Sequence, residues 1–125
     1  MPFEIKENNT GYLIPFNISD IPFTPKRCFF VTNNNLGDTR GNHAHINESH
    51  FLICLGGKIK LIKENKDGVE EIILTKGQTL HQKELEWMQL EYIENNSSIL
   101  VFADELYTEE NYIREYKKFK EIVCF

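Results

Sequence analysis

The sequence predicts an all-β fold, an antiparallel barrel or sandwich carrying one C-terminal helix, and three observations lead there. Apolar segments are short and recur about every ten residues between turn residues, which is the spacing of antiparallel strands. From Lys58 to Lys63 one face is apolar and the other is largely lysine, as in a strand with one side in water. Helical periodicity is confined to the last quarter, where Tyr112, Tyr116 and Phe119 fall at i, i+4 and i+7.

Taken in order, strands are expected near residues 12–16, 26–32, 40–45, 50–55, 58–64, 70–74, 85–93 and 99–103. Gly56-Gly57 offers the positive φ angles of a tight hairpin, Asp67-Gly68 suits a type I′ turn, and Asn95 to Ser98 forms a third turn. The helix is expected to start at Thr108 as N-cap, with Glu109 and Glu110 set against the positive end of the helix dipole. Its aromatic stripe is the face that packs on the sheets.

The chain has 125 residues and a mass of 14.7 kDa. That suffices for one domain with a hydrophobic core, residues 1–125, and is too little for two. Nineteen acidic residues against fourteen basic ones leave a formal charge of −5, so no global field draws the protein to nucleic acid or to an anionic membrane. An anionic ligand must therefore be met by a local cluster of cations. No apolar run approaches the ~20 residues of a spanning helix, and the first nine residues lack a basic stretch followed by an apolar one. A cytoplasmic location is expected. Cys28, Cys54 and Cys124 are odd in number and sit among apolar residues, which reads as reduced thiols used as small core hydrophobes.

Five of the nine phenylalanines precede residue 31, in an arm broken by Pro15, Pro22 and Pro25. So apolar and segmented an arm is expected to dock on a large surface, that of its own chain or of another subunit.

The sharpest feature is the run from Arg40 to His50, which holds three of the four histidines. On an extended segment His43 and His45 project from one face two residues apart, with Ala44 pointing away. Near neutrality an imidazole both accepts and returns a proton, and Arg40 adds a permanent cation for a phosphate or a developing oxyanion. His43, His45 and Arg40 are thus the candidate catalytic residues. His50, flanked by Phe51, Leu52 and Ile53, reads as a scaffold histidine, Glu48 as a solvated loop carboxylate, and His81 fits either role. Arg27 beside Arg40 suggests a clamp for a diphosphate. Trp87 suits the core and is also carried as a stacking residue for substrate.

His-x-His on a strand of a small β-barrel suggests a cupin, whose usual metal pattern adds a glutamate three or four residues on and a histidine on a later strand. Here Glu48 follows His45 with two residues between, and Trp87-Met88 stands where the later histidine belongs. A metal site of His43, His45 and His81 stays open, but a metal-free site is favoured.

Three patches carry a more specific resemblance: residues 21–30, the run Arg40-Gly41-Asn42-His43-Ala44-His45 with residues 51–57, and residues 111–116 with Phe119. In these the chain resembles the sugar-nucleotide 3,4-ketoisomerases of the WxcM/FdtA-like cupin group, which act on dTDP-4-keto-6-deoxy-D-glucose. The resemblance implies a metal-free and cofactor-free cupin jelly roll, and a homodimer that exchanges its N-terminal arm, residues 1–25. It also implies a role in making 3-amino-3,6-dideoxyhexoses for surface glycans such as O-antigen. The motif histidines carry over onto His43 and His45, and Arg27, Arg40, Asn42 and Trp87 are the expected substrate contacts. Moving a carbonyl from C4 to C3 needs only proton transfers through an enediolate. His45 is assigned as the base at carbon, with His43 shuttling between the oxygens or orienting its partner. A sugar-nucleotide epimerase of the cupin type, a metal-dependent cupin enzyme and a non-catalytic sugar-nucleotide binding module are the alternatives.

Overall fold

The computed structural model describes residues 3–32, 37 and 39–123. A short hairpin, β1 (Lys6–Asn8) with β2 (Gly11–Leu13), opens the chain, and two larger antiparallel sheets follow. One has the order β3 (Arg27–Thr32), β10 (Ser98–Ala103), β5 (His50–Gly56), β8 (Thr79–Gln82). The other has the order β11 (Tyr112–Ile113), β4 (Thr39–His45), β9 (Trp87–Tyr92), β6 (Lys58–Asn65), β7 (Gly68–Thr75). The expected cupin-type, all-β jelly roll with a single C-terminal helix, α1 (Tyr116–Val123), is what the chain forms.

Strand alternation sorts the side chains into layers. Leu52, Cys54, Ile59, Leu61, Met88, Leu90, Ile99 and Val101 face one another between the sheets and form the main core. The outer face of the four-stranded sheet, with Phe51, Ile53 and Phe102, is covered by the N-terminal arm through Phe3, Phe16, Ile21 and Phe23. The Phe3 and Phe16 rings stack at 5.0 Å, and Phe16 meets Phe102 edge to face at 5.8 Å. The arm thus lies on the sheet of its own chain. On the outer face of the other sheet Ala44, Trp87 and Ile113 receive α1 through its fully buried Phe119.

Four expectations change. The helix begins at Tyr116 instead of after Thr108, which caps a single 3₁₀ turn, Glu109–Asn111. Between them Tyr112 and Ile113 pair with His45 and Ala44. The open edge of β4 offers ladder hydrogen bonds to a β-prone pair, and that pairing overrides the helical period. Gly56-Gly57 is no hairpin, because β5 and β6 belong to different sheets and the turn carries the chain between them. Gly57 has φ +75°, and a Cβ there would stand 2.6 Å from Ser97 Cα, so glycine is needed for the close approach. The β6–β7 hairpin does form, with Lys66-Asp67 as its loop, but neither residue has positive φ, which excludes a type I′ turn. Of the cysteines, Cys54 is buried as expected, Cys28 is exposed on β3, and Cys124 lies outside the described residues.

Candidate active site

The site sits between the two sheets, around a cavity of about 420 Å³. Apolar residues of both inner faces form much of its wall, among them Phe29, Val31, Leu52, Met88 and Val101. Arg40, Asn42, His43, His50, Tyr107, Tyr112 and Arg114 supply polar groups. An apolar cavity with a few convergent polar groups is the ordinary form of a small-molecule site.

The turn of β4 that presents these groups depends on Gly41 and Asn42. Gly41 has φ +90° and Asn42 φ +50°, and the pairing of β4 with β9 slips between Gly41 and His43. A Cβ on Gly41 would lie 2.8 Å from the Met88 carbonyl oxygen, so the backbones approach only because no side chain is present. Beyond this bulge His43 and His45 share a face as expected, with ring centroids 4.8 Å apart, while Ala44 turns toward α1.

The two motif histidines differ in access. His43 lines the cavity and donates Nδ1–H to the Gly41 carbonyl at 2.7 Å, leaving Nε2 as its acceptor. His45 is fully buried and is not part of the cavity wall. It stands behind His43, against the rings of Tyr112 at 4.6 Å and His50 at 4.1 Å. Neither of its ring nitrogens has a hydrogen-bond partner among the described residues. Burial first, then the charges of His50, His43 and Arg27, push its pKa down to about 2, so the ring is neutral at physiological pH. Burial also lowers the pKa of His43.

Glu48 is the residue that sequence reasoning misplaced, whereas His50 is buried and hydrogen-bonded as a scaffold histidine is. His50 is in the cavity wall, and Glu48, expected in solvent, is fully buried. The loop after β4 turns the carboxylate inward, where His50 Nε2 hydrogen-bonds to Oε2. Arg27 donates to both Glu48 oxygens, at 3.3 and 3.1 Å, to the Glu105 carbonyl at 2.8 Å and to the Tyr112 hydroxyl at 2.9 Å. Burial acts to raise the Glu48 pKa, and the hydrogen bonds from His50 and Arg27 overcome it, so the carboxyl titrates below its ordinary value. A signal was available: Glu48 and His50 are two residues apart, as His43 and His45 are.

The remaining candidates divide. Arg40 and Asn42 reach the cavity. Arg27 does not, being spent on Glu48, Glu105 and Tyr112, and the second cavity arginine is Arg114. The Arg114 guanidinium lies over the Tyr112 ring at 4.8 Å and is held by Glu109 at 2.6 and 3.0 Å. Trp87 is on the outer face of its sheet, 5.4 Å from Tyr116 and 5.5 Å from Phe119, and takes no part in the cavity. His81 belongs to β8, against Phe23, outside the cavity wall. Among the described residues the donor atoms close enough to share a metal are those of His45, Glu48 and His50, within 4.8 Å of one another. The alternative set of His43, His45 and His81 is not assembled among the described residues. Arg27 already occupies the carboxylate, and a second cation there would meet its charge, so this donor set fits a metal poorly.

A largely apolar cavity with two imidazoles in its wall and exposed arginines at its rim is an arrangement suited to a cupin enzyme of proton transfer on an anionic substrate. The chain belongs to the FdtA family, described as WxcM-like, C-terminal, whose model matches residues 2–124. It is 29% identical over 106 residues to the TDP-4-oxo-6-deoxy-α-D-glucose-3,4-oxoisomerase of Aneurinibacillus thermoaerophilus, covering 84% of this chain and 76% of that protein. A crystal structure of a mutant of the 3,4-ketoisomerase QdtA from Thermoanaerobacterium thermosaccharolyticum, in complex with TDP-4-keto-6-deoxyglucose, superposes with a TM-score of 0.86 at 30% identity, over 98% of this chain and 90% of that one. A 3,4-ketoisomerase from Helicobacter canadensis gives a TM-score of 0.86 at 28% identity, over 99% and 95% of the two chains.

Proposed function

We propose that the protein converts TDP-4-keto-6-deoxy-D-glucose into the 3-keto sugar. The observation that carries this reading is a single cavity walled by His43 and His50 and rimmed by Arg40 and Arg114, in a chain whose relatives are 3,4-ketoisomerases. The C3 proton is acidified by the neighbouring ketone. A base removes it, the electron pair forms the C3–C4 double bond of an enediolate, and the proton returns at C4. His43 is the base at carbon in this reading, in place of His45, because its acceptor Nε2 belongs to a ring in the cavity wall whereas His45 has no exposed surface. His45 backs His43 and holds its ring.

Arg40 and Arg114 take the diphosphate, and Arg40 also steadies the enediolate charge; guanidinium groups suit both tasks. Asn42 is a further substrate contact beside them. The product serves the cytoplasmic synthesis of 3-amino-3,6-dideoxyhexoses for surface glycans. The active form is a homodimer, supported by the edge strand β3, on which Phe30 is 58% exposed.

Incubation with TDP-4-keto-6-deoxyglucose in deuterated water, followed by NMR of the sugar, tests the reaction. A carbonyl moved to C3 is expected. Unchanged substrate, or deuterium at C5 with the carbonyl still at C4, would overturn the assignment, the latter in favour of an epimerase.

A further inference from the structure

Of the two guanidinium groups that the cavity offers an anion, Arg114 is already engaged by a carboxylate. Its Nε and Nη2 donate to the two oxygens of Glu109 at 2.6 and 3.0 Å, through the planar fork that also fits a phosphate. The same carboxylate accepts the hydroxyl of Tyr107. Arg114 and Tyr107 both line the cavity and Glu109 does not, so one acidic group outside the wall takes up donors of two residues within it.

That carboxylate is not needed to hold them in place. The Arg114 guanidinium lies over the Tyr112 ring at 4.8 Å, and the Tyr107 ring packs on Tyr112 at 5.4 Å and against the Arg27 guanidinium at 5.6 Å. The pair is also open to water, with side-chain exposures of 50% for Arg114 and 58% for Glu109. An ion pair so exposed is worth little, and its partners exchange readily. Arg114 first, then Tyr107, hold the Glu109 carboxyl down to a pKa of about 2, so it is ionised at physiological pH. Its charge opposes any anion that comes to Arg114.

We propose that Glu109 is a built-in competitor for the diphosphate: its carboxylate occupies the Arg114 fork, and a nucleoside diphosphate binds by displacing it. The inference rests on the reading in which Arg114 takes the diphosphate. Such a competitor weakens substrate and product alike, so Glu109 sets how tightly the cavity holds nucleotide and how readily it releases product. It determines affinity and takes no part in the proton transfers.

Calorimetry with TDP tests this on Glu109→Gln, on Glu110→Gln, which removes the same charge one residue away, and on Arg114→Ala. Glu109 and Glu110 are both exposed, so their replacement leaves the core untouched, and thermal unfolding checks each variant. Glu109→Gln is expected to bind TDP about 3- to 10-fold more tightly than the wild type, the range set by one exposed ion pair and one like charge removed. Glu110→Gln should stay within twofold of the wild type. Added to Arg114→Ala, Glu109→Gln should gain less than twofold, because the fork it competes for is gone. A gain below twofold in Glu109→Gln alone would overturn the proposal, and weaker binding would make Glu109 a residue that orients Arg114. Equal gains in Glu109→Gln and Glu110→Gln, or an undiminished gain beside Arg114→Ala, would also overturn it, as an effect of net charge. If Arg114→Ala bound TDP as the wild type does, the clamp reading itself would fail and the competition with it.

Discussion

Arg27 Nη2 stands 3.1 Å from Glu48 Oε2, and the carboxylate it meets has no exposed side-chain surface. This pair ties β3, the edge of one sheet, to the loop that follows β4 in the other. Breaking one partner of a buried ion pair leaves an uncompensated charge, which costs about 3–5 kcal/mol. Arg27→Met should therefore lower stability by that amount in urea unfolding. A loss below about 1 kcal/mol, the range of a surface pair, would show that water screens the carboxylate.

The buried histidines make stability depend on pH. His45 has a folded pKa of about 2 against an ordinary 6.5, and His43 and His81 are also lowered by burial. For such groups the unfolded chain binds more protons, so their stabilisation is present above pH 6.5 and is lost as pH falls below it. The Glu48 carboxyl, lowered from 4.5, adds a loss of the same sign further down. Unfolding followed at stepped pH should show stability declining from about pH 6.5 downward, with a slope approaching 1.4 kcal/mol per pH unit for each fully linked group. His45→Asn should flatten that slope; an unchanged slope would mean that His45 titrates normally.

Diphosphate binding separates the three arginines. Arg40→Ala and Arg114→Ala should each weaken TDP binding about 10- to 100-fold in calorimetry, the worth of a hydrogen bond to a charged group. Arg27, turned toward Glu48, should matter chiefly for stability. Equal TDP affinity in the wild type and in both cavity variants would remove the clamp.

Turnover should depend on both motif histidines for different reasons. His43→Asn is expected to abolish deuterium exchange at C3 and to reduce turnover about 10²- to 10⁴-fold while TDP still binds. His45→Asn should exchange C3 protons, more slowly, because it removes the ring behind the base. If His43→Asn exchanged normally and His45→Asn did not, the base would be His45, as the motif alone suggested.

The exposed Phe30 of β3 bears on assembly. Light scattering should return twice the 14.7 kDa chain mass, and Phe30→Lys should shift the population toward the monomer, since a charge on an edge strand opposes pairing. A monomer at micromolar concentration in the wild type would count against the dimer.

Most strands were legible because alternation is local: Ile59, between Lys58 and Lys60, and Leu61, two residues on, are buried on one face whatever the partner strand is. The same rule placed His43 and His45 on one face. Glu48 was not legible, because its burial depends on a loop reversal and on an arginine twenty-one residues away. Tyr112 was read onto a helix because its spacing to Tyr116 and Phe119 is helical; the vacant edge of β4, a nonlocal feature, made it a strand beside His45.

By itself the sequence determined the all-β pattern, the shared face of the motif histidines and the family to which they point, since these follow from neighbour spacing and residue chemistry. Only the tertiary structure decided which imidazoles reach the cavity, that Arg114 joins Arg40 there while Arg27 turns inward, and that Trp87 packs under α1. Access and charge pairing depend on which surfaces the two sheets close upon, and that is set by contacts between segments far apart in the chain.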